Sequence, residues 1–126
     1  MDLLWFGLDV GADEIVACAL DAEGRVRDQL TMANGASDVG RFVEGQTTRE
    51  NAVIAMEAGG SAVALARNLR KSGYRVLVFE TRQASRFLAI RRNKTDTNDA
   101  RGLADLARIG KAVVSNVYVK SADTQK

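Results

Sequence analysis

The sequence predicts an α/β fold, a mixed five-stranded sheet with helices on its faces, and three observations carry that reading. Apolar runs of strand length, five to eight residues, recur between turn signals. Beyond about residue 36 the hydrophobic period switches from two to that of a helix. The resulting order is strand, strand, strand, helix, strand, helix, strand, helix, helix. Short turns make the first three strands antiparallel, whereas each strand–helix–strand connection makes its strands parallel neighbours through a right-handed crossover.

Residues 3–9 begin with Leu3-Leu4-Trp5-Phe6 and read as the first strand, and "GADE" after it as a turn. "EIVACALD" over 14–21 sets Ile15, Ala17 and Ala19 against Val16, Cys18 and Leu20, so both faces are apolar, as in a central strand. "AEG" at 22–24 is a tight-turn signal, and "RVRDQLTM" over 25–32 alternates polar and apolar like an edge strand. Ser37 has the side chain to cap a short helix running to about Glu44, with Val39, Phe42 and Val43 on one face. "NAVIAME" at 51–57 is a short buried strand. Gly59-Gly60 and Ser61 open a second helix with an apolar stripe of Val63, Leu65, Ala66 and Leu69, and Gly73 stops it. "YRVLVFE" over 74–80 is the fifth strand; helical patterns over 81–90 and 96–109 follow, separated by "RRNK". The tail holds an extended apolar patch and then "SADTQK", the beginning of a helix.

A chain of 126 residues with 46% hydrophobic and 27% charged residues suits one globular domain. No apolar run approaches the roughly 18–20 residues that span a bilayer, and the acidic start Met1-Asp2 does not suit a signal peptide. A cytoplasmic protein with no membrane partner is the expectation. A single cysteine excludes an internal disulfide, and the absence of histidine excludes histidine-bound zinc and any Ser-His-Asp triad. Polar catalysis must therefore rest on carboxylates, lysines or hydroxyls. The formal charge of +2 conceals a block from Arg82 to Lys111 with eight basic and three acidic residues, net +5, which leaves −3 elsewhere. A polyanionic partner suits such a block; a solvated helix face is the plainer alternative.

Four of the acids raise a sharper question. Asp9 ends the first strand and Glu57 the fourth, and parallel strands deliver both to one carboxyl edge, where open α/β sheets bind ligands. An uncompensated carboxylate there is costly. "KTDTNDA" adds Asp96 and Asp99, spaced i, i+3 and so on one helical face. Four acids of this kind suit Mg2+ or Mn2+, two of which can clamp the attacking and leaving oxygens of a phosphodiester. Each has a plainer reading as well: Asp96 as an N-cap, Asp99 as a first-turn acid, Asp9 as a turn residue, Glu57 as a residue ahead of a helix.

"GLDVG", "AMEAGG" and "NKTDTNDARGLADLAR" together resemble the N-terminal domain of DEDD-class insertion-sequence transposases and the related pilin-gene DNA invertases. "KTDTNDA" is the most specific of the three. The resemblance implies a RuvC-like, RNase H-like fold and a divalent-metal site at Asp9, Glu57, Asp96 and Asp99. It implies DNA as substrate, a structured guide-like RNA in full-length members, and self-association into a homo-oligomer. In that setting Arg91, Arg92, Lys94 and Arg101 would grip nucleic-acid backbone. The domain would occupy residues 1–111, and 112–126 would begin a linker to a further domain that supplies a serine nucleophile. Two other classes remain open at this level. "GLDVGADEIVACALDAEGRV" also suits an actin- or hexokinase-like phosphotransferase, and the basic block suits a non-catalytic nucleic-acid-binding or dimerisation module.

Overall fold

In the computed structural model, which describes residues 2–91, 99–113 and 119–120, strand β1 (Leu4–Val10) lies at the centre of the sheet. It pairs antiparallel with β2 (Glu14–Leu20), which pairs antiparallel with β3 (Val26–Ala33). On its other side β1 pairs parallel with β4 (Ala52–Glu57), and β4 pairs parallel with β5 (Arg75–Phe79). The expected mixed five-stranded sheet is therefore present, in the order β3-β2-β1-β4-β5, and a sixth strand, β6 (Val119–Lys120), extends it at β5. Those two residues belong to the segment expected to begin a linker; they pair antiparallel with Val78 and Phe79.

Helices α1 (Ala36–Glu44) and α2 (Ala62–Lys71) supply the crossovers of the parallel part. They share a core with one face of the sheet, formed by Leu4, Phe6, Leu8, Ile15, Ile54 and Met56 from the strands and by Val39, Phe42, Val43, Leu65 and Leu69 from the helices. Burying large side chains of this kind contributes roughly 1.5–3 kcal/mol each, so this layer carries much of the stability. Two local expectations need correction. Gly35, in extended conformation, is the N-cap of α1, and no side chain caps that helix, so Ser37 is not its cap. In α2 the buried stripe is Ala62, Leu65, Ala66 and Leu69, with Val63 only half-buried. Gly73 does end α2, with a left-handed φ of 93° that a side chain would strain.

The opposite face carries α3 (Thr81–Arg91) and α4 (Asp99–Val113). Small residues dominate where α4 meets the sheet. Cys18, Gly7 and Ala55 are neighbours across three strands, and Ala100 and Ala104 of α4 are fully buried near them. A Cβ on Gly7 would sit 1.8 Å from the carbonyl oxygen of Ala100 and 2.5 Å from the amide nitrogen of Ala104. The helix backbone thus rests directly on β1, an approach only glycine permits. Cys18 is a small core residue, as expected, and burial pushes its thiol up to about 11.

Candidate functional site

β1 and β4 run in register, with Leu8 opposite Met56. One residue further along each strand come Asp9 and Glu57, on the face that α4 covers. Asp99 is the first residue of α4, and seating that helix on Gly7 brings its N-terminal end to the same sheet edge. The three acids line one cavity of about 200 Å³ together with Leu8, Val10, Ala58, Gly59, Gly60 and Leu103. Gly59 and Gly60 have φ of 134° and 53°, so the loop after Glu57 turns sharply in a conformation side chains resist.

The electrostatics agree with the placement. Partial desolvation against the sheet raises the carboxyl of the otherwise exposed Asp9 above its ordinary value, and the nearby charge of Asp99 raises it further. Burial does the same for Glu57, followed by the charges of Asp99 and Asp9. Asp99 thus acts on both strand acids, at a rim where Asp9 is exposed and Glu57 half-buried. The oxygens are hard donors of the type that Mg2+ and Mn2+ prefer. Among the described residues, however, no three acidic or cysteine side chains converge closely enough to hold a metal ion by themselves. Mutual repulsion of like charges opposes closer convergence without a cation.

Asp96, the fourth expected acid, lies outside the described residues, as do Arg92 and Lys94. Arg91 is the last residue of α3. Arg101 is exposed on α4 and near enough to Cys18 of β2 to act on its thiol, which places it on the β2 side of the cavity. Arg108, counted in the basic block, is committed elsewhere. Its guanidinium holds Asp105 at 2.7 Å, with only 20% of its side chain exposed, and donates to the carbonyl of Ala22 in the β2–β3 turn. Glu80 is structural. Its carboxylate accepts the backbone N–H groups of Arg82 and Gln83 at the start of α3, and those bonds hold its pKa down.

Two supporting residues escape sequence reasoning. Gly7 reads as part of a strand, and its role shows only once α4 lies across it. Asn34 follows β3, and its side-chain amide donates to the carbonyl of Gly11 at 2.7 Å and to the hydroxyl of Ser61 at 2.8 Å. It thereby ties the loop after Asp9 to the loop after Glu57. The signal available for Gly7 was the pair Ala100 and Ala104, one helical turn apart beside Gly102; Asn34 has none, because its partners are 23 and 27 residues away.

Residues 6–126 match a family described as transposase, the DEDD type named for the element IS110. The chain is also 31% identical over 111 residues to an uncharacterized 44.8 kDa protein of insertion element IS116 from Streptomyces clavuligerus. That alignment takes in 86% of this chain and 28% of the relative, so the chain spans little more than a quarter of the relative's length.

Proposed function

The chain belongs to the IS110-type DEDD transposase family, and from that premise we propose that it is the metal-binding part of an enzyme that cuts and rejoins DNA. The observation that carries the reading is the meeting of Asp9, Glu57 and Asp99 in one cavity, with the carboxyls of Asp9 and Glu57 both raised by burial and by neighbouring acids. Asp96, three residues before Asp99, joins them as the fourth ligand. Mg2+ or Mn2+, when bound, supplies positive charge and Lewis acidity at a scissile phosphate. The chain's own residues set the position. Asp9 and Glu57 stand on paired strands; Asp99 is held by the seating of α4 on Gly7; Gly59 and Gly60 leave room for a phosphate at the rim.

DNA is the substrate in this reading, held in part by Arg91, Arg92, Lys94 and Arg101, and weakening with salt as counterion release requires. Residues 1–111 form the metal-binding domain, and 112–126 lead into a linker anchored on β5 by Val119–Lys120. Strand transfer, any guide-like RNA and homo-oligomeric assembly belong to the whole protein, whose nucleophile is a serine elsewhere. This chain by itself is expected to nick DNA weakly or not at all. It acts in the cytoplasm; among the described residues no helix is long and apolar enough to cross a membrane.

Thermal unfolding with and without Mn2+ tests the proposal, on the native chain and on an Asp9→Asn, Asp96→Asn double variant. At a hundredfold excess over Kd, one bound ion stabilises the native chain by about 2.7 kcal/mol. The double variant should show no such gain. An Mn2+ response equal in both proteins would exclude the acids as the site and favour a non-catalytic binding module.

A further inference from the structure

The outer face of α3 carries two arginines, Arg82 and Arg86, whose charges help to hold the Glu80 carboxyl below its ordinary value, after the backbone N–H groups that bond it. Thr81, Arg82, Ser85, Arg86 and Ala89 are all exposed, while Ala84, Phe87 and Leu88 are buried, so the helix turns one clean stripe to solvent. With Glu80 the stripe lines an open groove of about 630 Å³. Four other arginines form ion pairs: Arg27 with Asp2, Arg41 with Asp38, Arg49 with Glu44 and Arg108 with Asp105. Arg82 and Arg86 form no ion pair among the described residues. The acid beside them, Glu80, spends its oxygens on the helix's own N–H groups.

One hydrogen bond joins the lining of the groove to that of the carboxylate cavity. The Thr81 hydroxyl donates to the carbonyl of Ala58 at 2.6 Å, and Ala58 lines the cavity next to Glu57. Guanidinium groups four residues apart on a helix are neighbours on one face, and each can fork onto a phosphate. The cavity carries acids, and the groove carries arginines one step along the same surface.

We infer that the α3 face formed by Thr81, Arg82, Ser85 and Arg86 is a track for the sugar-phosphate backbone of the DNA strand whose scissile phosphate lies at Asp9 and Glu57. It rests on the function proposed above and adds a contact surface on the β5 side of the cavity, opposite Arg101. Arg82 and Arg86 hold successive phosphates, and Thr81 and Ser85 offer hydroxyl donors between them. The contacts read backbone, so they carry no base preference.

Fluorescence anisotropy of labelled single-stranded DNA, titrated over a range of salt in the presence of Mg2+, tests this on the full chain. An Arg82→Gln, Arg86→Gln variant should bind roughly tenfold more weakly at 0.1 M salt, and its salt slope should fall by about 1.4, at about 0.7 per lost phosphate contact. An Arg25→Gln, Arg67→Gln variant removes the same charge from other surfaces and should lose little. Mn2+-dependent stabilisation of the Arg82, Arg86 variant should match the native chain, which shows that fold and acids are intact. Equal losses in both variants would reduce the effect to net charge and overturn the track. So would unchanged binding of the Arg82, Arg86 variant, a loss confined to RNA of the same sequence, or no DNA binding by the native chain. Failure of the metal reading shows separately, as a missing Mn2+ response in the native chain.

Discussion

The two sides of strand β1 are packed by opposite means. On the α1–α2 side, large side chains fill the space: Phe6 meets Phe42 edge to face at 5.8 Å between ring centroids, amid Leu4, Leu8, Ile54, Met56 and Leu69. On the α4 side, Gly7, Cys18, Ala55, Ala100 and Ala104 let a helix backbone come down onto the strands. The first arrangement maximises buried area and is tolerant, since apolar residues of similar volume can replace one another. The second buries less per residue and fixes a position. What it fixes is Asp99, at the one place where it faces Asp9 and Glu57. Around β1, bulk burial and site geometry thus fall on opposite sides, although Phe79, Phe87, Leu103 and Leu106 add large buried side chains to the α3–α4 face as well.

The comparison breaks most visibly at Phe6. Phe6→Ala should cost about 3–5 kcal/mol in chemical denaturation. Where the variant remains folded, its Mn2+ response should persist; a folded Phe6→Ala protein without that response would show that the two faces are not separable. Gly7→Ala should cost about 3 kcal/mol, because the new methyl meets backbone atoms that cannot rotate away. Its distinguishing outcome is loss of the Mn2+ response even under conditions where far-ultraviolet circular dichroism is native. Retention of that response would mean that α4 is positioned by something other than Gly7.

Smaller effects sharpen the contrast at the site's rim. Asn34→Ala removes the tie between the loops after Asp9 and Glu57, and should cost about 1 kcal/mol or less, since its bonds are exposed. Calorimetric titration with Mn2+ should nonetheless show a weaker affinity, and an unchanged one would confine Asn34 to a turn role. The smallest effect is set by pH. Asp9 and Glu57 have folded-state pKa values above their ordinary ones, so the folded chain holds their protons more tightly than the unfolded chain does. Their contribution to metal-free stability is complete below the ordinary carboxylate range and is lost as pH rises through the raised values. Metal-free Asp9→Asn should therefore melt roughly 1–3 °C above the native chain at pH 7, with solvent screening limiting the gain. The advantage should vanish below about pH 4 and reverse when Mn2+ is added. A native chain that outlasts Asp9→Asn at pH 7 without metal would show that Asp9 is already neutralised within the fold.

Much of this could be read along the chain, for a definite reason. Strand period, turn glycines and the helical stripe of α2 are local properties, and they located β1 to β5 to within a residue or two. The same locality explains the errors. Ser37 has a capping side chain, yet the extended backbone at Gly35 starts α1, because the chain's exit from β3 sets where the helix begins. Val63 fits the helical period as well as Ala62 does, and only the rotation of α2 against the sheet chose between them. Formal charge was a poor guide to Arg108, whose partner Ala22 is 86 residues away.

By itself, then, the sequence determined the alternation of strands and helices, the parallel pairing of β1 with β4, and the delivery of Asp9 and Glu57 to one sheet edge. Residue periodicity and crossover length govern those features, and both are written locally. Only the tertiary structure decided that α4 lies on Gly7 with Asp99 at the cavity, and that Asn34 bridges two loops. It alone brought Thr81 of α3 to Ala58 beside Glu57 and left Arg82 and Arg86 without an ion pair among the described residues while tying down Arg108. Those outcomes depend on how closely distant segments approach, which side-chain volume and hydrogen-bond pairing settle only after the chain has folded.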